Sequence, residues 1–313
     1  MPRTLTVMTR NLYVGASYQP MMRATADEFP VRVTEMLQAI HANDFPGRAR
    51  AIAAEIAETA PDVIGLQEAT LYRVRAPGGG AERQVDHLAI LDAALRERGM
   101  AYRVAHVQPA AVAEAPAAGG AQVHLTDRDA ILVREGMPVA GTASARYEAA
   151  LTIQLAGAPF TTWRGWVAVD LPGAGGPLRV VCTHLDAYAS PIQLAQAREL
   201  TSGPGAAPGA VVLLGDFNTW PDERGRPTYE HLLAAGFTDA WTAAGTGPGF
   251  THAQTEDLRL PARALNARLD LVLLRGPVVT RAARLVGDQP GGRTRAGLWP
   301  SDHVGVVATL EVG

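Results

Sequence analysis

The stretch that most constrains the fold is Val211-Val212-Leu213-Leu214, which runs directly into Gly215-Asp216-Phe217-Asn218. An unbroken aliphatic run of this length reads as a buried strand, and Gly215 ends it. Asp216 and Asn218 lie two positions apart, where an extended backbone points side chains the same way. An acid and an amide at the end of a core strand are unfavourable to bury unless they bind something. The competing reading is a tight turn in which Asp216 caps the following backbone.

The same pattern recurs along the chain. Thr4 to Met8 predicts a strand ending at Arg10-Asn11. Val63 to Leu66 predicts another, with Gln67-Glu68 at its end. Leu178 to Cys182 delivers Thr183-His184, and Arg268 to Leu274 carries Asp270 in an aliphatic run. Ser301-Asp302-His303 precedes a last strand over Val304 to Val312. Further strands are predicted over Tyr102–Val107, Asp129–Arg134 and Arg164–Asp170. Helical spacing of Ile52, Ala53, Ile56, Ala57 and Ala60 predicts a helix from Arg48, stopped by Pro61. Other helices are predicted over Val85–Leu95, Ile192–Leu200 and the stretch ending Ala235-Gly236-Phe237, with one or two more between Gly15 and Pro46. Ala76–Ala81 and the Ala/Pro/Gly-rich Pro109–Ala121 are expected to be loops, the latter mobile and on the surface. Strand–helix–strand order argues α/β layering. With no internal repeat and no linker, residues 1–313 are expected to form a single domain.

Composition excludes several classes. The net charge of -3 gives no chain-wide basic field for nucleic acid. All 28 basic residues are Arg, which a high-GC coding sequence explains. The single Cys182 sits in an aliphatic run and is expected to be a small core residue; no intrachain disulfide can form. No apolar run approaches the roughly 20 residues of a membrane span. The chain as written is expected to be cytoplasmic, or secreted if a leader has been removed from it.

Together the strand-end polar residues are Asn11, Glu68, His184, Asp216, Asn218, Asp270, Asp302 and His303. Ligands in α/β sheets bind at strand ends. Carboxylate oxygens from Glu68, Asp216 and Asp302 suit Mg²⁺ or Mn²⁺ better than zinc. Two histidines and two amides beside such a cation fit phosphoester hydrolysis.

The chain resembles the endonuclease/exonuclease/phosphatase superfamily, the DNase I-like phosphohydrolases. The resemblance rests on Thr9-Arg10-Asn11-Leu12, Ile64-Gly65-Leu66-Gln67-Glu68, Thr183-His184-Leu185, Gly215-Asp216-Phe217-Asn218, Arg268-Leu269-Asp270-Leu271 and Ser301-Asp302-His303, in the family order. It implies a four-layered α/β sandwich, two mixed β-sheets packed face to face with helices outside. It also implies roles. Glu68 is then the principal metal ligand, with Asn11 and Asp302 close by. Asp216 orients or deprotonates the attacking water, and Asn218 holds a phosphate oxygen. His303 contacts the phosphoryl group, Asp270 fixes its tautomer, and His184 is the second catalytic histidine. Asp127 falls where some members place an acidic partner for that histidine, and Arg164 where DNase-like members place a phosphate-contacting Arg. The stretch Thr126–Asp129 departs from nuclease members, which often carry a Tyr near the scissile phosphate.

The resemblance leaves the substrate open. A Mg²⁺- or Mn²⁺-dependent phosphodiesterase or phosphatase is the leading expectation, with no obligate protein partner. The alternatives are a nuclease acting on DNA or RNA, a sphingomyelinase-like phospholipid phosphodiesterase, and a catalytically silent binding module. Arg293 and Arg295 either reach a second phosphate or belong to a solvated loop. Tyr18, Met21, Met22 and Trp299 either rim a site for a lipid or nucleoside or pack the core.

Overall fold

Alternation along the strands decides the layering. A computed structural model describes residues 3–173, 176–222, 226–252, 258–260 and 264–313. In chain order, β1 (Arg3–Asn11), α1 (Gln19–Met22), α2 (Phe29–Ala42) and α3 (Phe45–Thr59) lead to β2 (Val63–Gln67). A hairpin of β3 (Leu71–Arg75) and β4 (Glu82–Asp86) precedes α4 (His87–Glu97). The long pair β5 (Tyr102–Pro116) and β6 (Gln122–Arg134) is followed by β7 (Gly141–Arg146), then by the hairpin β8 (Leu151–Leu155) and β9 (Ala158–Thr162). Next come β10 (Gly165–Leu171), β11 (Leu178–His184), α5 (Ser190–Ser202), β12 (Ala210–Asp216) and α6 (Arg226–Ala234). The chain ends with β13 (Thr238–Asp239), α7 (Ala240–Ala244), β14 (Asp270–Arg275), β15 (Val278–Val286) and β16 (Gly305–Val312).

Among the described residues, one sheet runs β15-β16-β1-β2-β6-β3-β4 with β5 also on β6, and a second runs β13-β14-β12-β11-β10-β7. In β12, Val212 and Leu214 face Val7, Val63 and Val306 of the other sheet. Val211 and Leu213 face Ala197, Leu200 and Leu232 of α5 and α6. On the far side, Met8, Ile64 and Leu66 meet Ile52, Ile56 and Leu91 of α3 and α4. A period of two therefore gives every central strand two buried faces, and the result is helix, sheet, sheet, helix. The sheets approach closely at Gly65, where an added Cβ would lie 3.1 Å from the Cys182 Sγ and 3.2 Å from the Leu214 Cβ. Cys182 is fully buried in the inter-sheet core, as expected.

Two elements depart from expectation. The Pro109–Ala121 segment is not a surface loop: β5 continues through Pro116, and Pro109 pairs with Arg128 next to a register shift. Pro is tolerated there because β5 is paired along one edge only and the ladder is broken at that point. Val85 belongs to β4, and α4 begins after Asp86, whose carboxylate accepts from the Leu88 and Ala89 amides. No helix among the described residues is long and apolar enough to cross a membrane.

Candidate active site

The topology brings the polar strand ends to one edge. β1 and β2 are parallel, as are β11 and β12, each pair joined through helices. Their carboxyl ends place Asn11, Glu68, His184 and Asp216 together. β14 and β16 run antiparallel to their neighbours, so their starts, Asp270 and the preceding His303, fall at the same edge. In register, His184 lies opposite Asp216 and Asp216 opposite Asp270. Tyr13, Glu68 and Asn218 adopt left-handed backbone (φ 61°, 55° and 49°), three of the six described non-glycine residues that do.

One oxygen is the focus. Asp216 Oδ2 accepts from Asn11 Nδ2 at 3.1 Å, and the Nε2 atoms of His184 and His303 lie 3.4 and 3.6 Å away. Asp216 Oδ1 accepts the Asn218 backbone amide at 3.0 Å. The turn reading of Asp216 is thus correct for one carboxylate oxygen, and the other oxygen serves the site. His303 Nδ1 sits 2.8 Å from Asp270 Oδ2. Arg164 Nη1 donates to His184 Nδ1 at 2.9 Å, which puts the His184 proton on Nε2, toward Asp216. Arg164 also pairs with Asp127 at 3.6 Å. Asp127 therefore meets Arg164, and Arg164 stands in its place against His184.

Glu68 is held by two donors, Asn11 Nδ2 at 3.2 Å and the Val14 amide at 2.6 Å. Asn11 spends its NH₂ on Glu68 and Asp216, and its oxygen accepts the Tyr13 amide. It positions two carboxylates and does not offer its oxygen outward. Asn218 donates Nδ2 to the Leu185 carbonyl at 3.0 Å and has a second N–H to spare. Asp302 is half-buried on the cleft wall, with Ser301 Oγ donating to its Oδ1.

Burial and crowded charge set the protonation states. Burial, then Asp302 and Asp127, push the Glu68 carboxyl up to about 8. Burial raises Asp216 to about 6, against the pull of His303. Burial lowers His303, but Asp270 and Asp216 outweigh it and hold the imidazole at about 10. Burial, Arg164 and His303 keep His184 well below its ordinary value, so it is neutral. Neighbouring carboxyls that raise one another suit a site built for a cation. Glu68 and Asp302 offer hard oxygens that fit Mg²⁺ or Mn²⁺. The tightest donor groupings among the described residues are His252-Asp302-His303 and Asp216-Asp270-His303, and neither contains Glu68. In both, His303 is a cation already engaged with two carboxylates, so the carboxylates of Glu68 and Asp302 are the better-matched set.

Two residues escaped the sequence. The His252 ring lies 4.5 Å from that of His303, and the two residues form a β-bridge; nothing in Gly249-Phe250-Thr251-His252 distinguishes it from a loop histidine. Asp129 is fully buried beside Arg164, with neither carboxylate oxygen hydrogen-bonded, and burial raises it well above its ordinary value. Its alternation with Asp127 on one strand face was the available signal. Trp299 packs in the core against Tyr13 and Leu298 and is not at the rim. Arg293 and Arg295 line a separate cavity beside Asp44 and Glu55, away from these residues.

The chain belongs to the endonuclease/exonuclease/phosphatase family, whose members are hydrolases acting on phosphoesters; the family model matches residues 37–303. No curated protein matches it. Among solved structures it is similar to a family protein from Leptotrichia buccalis (15% identity, 98% of this chain and 99% of that one, TM-score 0.64). A Bacteroides thetaiotaomicron family protein is 16% identical over 100% and 99% of the two chains, with TM-score 0.63. The D. rerio TDP2 complexed with a single-strand DNA product is 18% identical over 98% of each, with TM-score 0.59. At these identities the likeness is one of fold.

Proposed function

We propose that this chain is a divalent-cation-dependent phosphodiesterase or phosphatase, a single domain over 1–313 that uses Mg²⁺ or Mn²⁺. The convergence of Asn11, His184 and His303 on Asp216 Oδ2, beside the buried Glu68, carries this reading. Glu68 and Asp302 would hold the cation, with Asn11 orienting Glu68. The bound cation would polarise a phosphoryl oxygen and neutralise the departing oxyanion. Asp216, poised near 6, accepts a proton from the attacking water as its oxygen bonds phosphorus. The ester P–O bond breaks on the opposite side; the departing oxygen leaves as the oxyanion and takes a proton from solvent water, and Asp216 returns its proton to solvent. His303, charged and fixed by Asp270, donates Nε2–H to a phosphoryl oxygen. Asn218 and Arg164 hold the remaining oxygens, and Asp127 orients Arg164.

A panel of nucleic acids, phospholipids, inositol phosphates and simple diesters with Mg²⁺ or Mn²⁺ tests this. Turnover is expected, and it falls by about a hundred- to a thousandfold in Glu68→Ala and His303→Ala, the scale of losing a transition-state stabiliser. No turnover across the panel overturns the proposal in favour of a silent binding module. The single-strand DNA product in the D. rerio neighbour supports a nuclease as the second reading.

A further inference from the structure

A cleft of about 490 Å³ opens from the site, and its two ends differ in chemistry. One end holds Glu68, Arg164, Asp216, Asp302 and His303. The other is walled by Met21 and Met22 of α1, Phe29 and Val33 of α2, and Ile153 and Phe160 of the β8–β9 hairpin. Its size is that of a small-molecule pocket.

The hairpin is the informative wall. β8 and β9 pair with each other and join neither main sheet. Leu151, Ile153 and Leu155 alternate with the exposed Thr152 and Gln154, giving one apolar face, turned to the cleft and only half-buried. A two-stranded hairpin alone is marginal in water and needs its apolar face covered. Charge points the same way. Among the described residues lining this cleft, Arg164 is the one arginine. Nucleic-acid affinity rises with the number of phosphates that Arg and Lys neutralise, and the described lining of this cleft offers cations for one.

We infer that the substrate is an amphiphilic phosphoester: one phosphate seated at the polar end, and an alkyl, isoprenoid or aryl group in the apolar arm. This rests on the phosphoester reading above and narrows it. Water's oxygen bonds phosphorus, the P–O bond to one ester oxygen breaks, and the released alcohol takes a proton.

The test compares methyl and n-octyl p-nitrophenyl phosphate as substrates, with plasmid DNA as the competing class, in Mg²⁺. In parallel, methylphosphonate and n-octylphosphonate are titrated calorimetrically. Each CH₂ moved from water into the arm strengthens binding by roughly fourfold when fully buried. The octyl diester is expected to show at least tenfold higher kcat/KM than the methyl diester, and the octylphosphonate at least tenfold tighter binding. Both ratios collapse toward one in Ile153→Asp and in Met22→Asp, which put a charge on the hairpin and on α1 respectively; circular dichroism checks that each is folded. Equal kcat/KM for the two diesters, or faster cleavage of plasmid DNA than of the octyl diester, overturns the inference while leaving the phosphoesterase reading standing. Absence of all turnover sinks that reading instead. The phosphonate titration then still decides the arm, since equal affinities overturn it and a tenfold preference sustains it.

Discussion

His303 shows how one position can be tuned by its neighbours. Its Nδ1 is 2.8 Å from Asp270, its Nε2 is 3.6 Å from Asp216, and the pair of carboxylates outweighs burial to hold it near 10. The raised value means His303 is charged at neutral pH and loses its proton only as pH climbs toward 10. In Asp270→Asn the larger upward influence is gone and burial dominates. The alkaline limb of kcat/KM against pH is then expected to move down by at least one unit, with Asp270 not touching substrate; an unmoved limb refutes this. Asn11 is tested differently. Because it orients Glu68 and does not itself present an oxygen, Asn11→Ala should weaken Mg²⁺ binding by about 10- to 100-fold, the usual effect of losing a residue that holds a ligand. Glu68→Gln should abolish measurable binding by the same titration. Equal effects of the two would place Asn11 on the cation directly.

The strand pair β11–β12 carries the centre, and Gly215 lets it close. A Cβ there would sit 2.1 Å from the Thr183 carbonyl oxygen, a backbone atom that cannot swing aside. Gly215→Ala is therefore expected to lower stability by about 1–3 kcal/mol, the range for overpacking, seen as a drop of a few degrees in Tm. Activity should fall too, because Asp216 is the next residue. Gly291→Ala, with nothing within 4 Å, is the control and should melt like the parent. These core strands were legible in the sequence because two buried faces demand unbroken aliphatic runs, and the polar residue ending each run stood out against them. Asn218 was only half legible: its proximity to Asp216 was foreseen, but it comes from a left-handed turn and not from extended backbone. β5 beyond Val107 was misread because Ala and Pro carry little strand preference, and its pairing with β6 supplies what composition lacks. The β8–β9 hairpin was not foreseen at all, since short strands covering a cleft need no continuous apolar run. For Tyr18, Met21 and Met22 the sequence left both a rim and core packing open, with core packing ahead; all three line the cleft and Met21 is buried in the core as well, because α1, α2 and that hairpin come together.

Two buried arginines tie the far-separated segments of the site into one body. Arg10 makes a two-pronged pair with Glu55 of α3 and donates to the His303 carbonyl at 2.7 Å. Arg48 donates to the carbonyls of Leu12, Tyr13, Asn43 and Pro300. They join β1, α3 and the loop before β16, and removing one partner leaves a buried charge. Glu55→Ala is expected to destabilise by about 3–5 kcal/mol in denaturant titration. A cation held at Glu68 would complete this body, and its contribution should depend on pH in a definite direction. Glu68 ionises at about 8 in the folded chain against 4.5 as an ordinary side chain. For a carboxyl raised in this way, the stability is fully present below the unfolded value and is lost as pH rises through the folded one. Between about pH 6.5 and 9 the protein in EDTA should therefore lose Tm, and His303, held near 10, adds a loss of the same sign. A divalent cation takes the ionised form, so the Tm gained on adding Mg²⁺ should grow across the same window, with proton release in calorimetry at the lower pH. A Mg²⁺ increment that stays constant from pH 6.5 to 9 would show that Glu68 does not hold the cation, and an EDTA baseline that rises would show that its carboxyl is not raised.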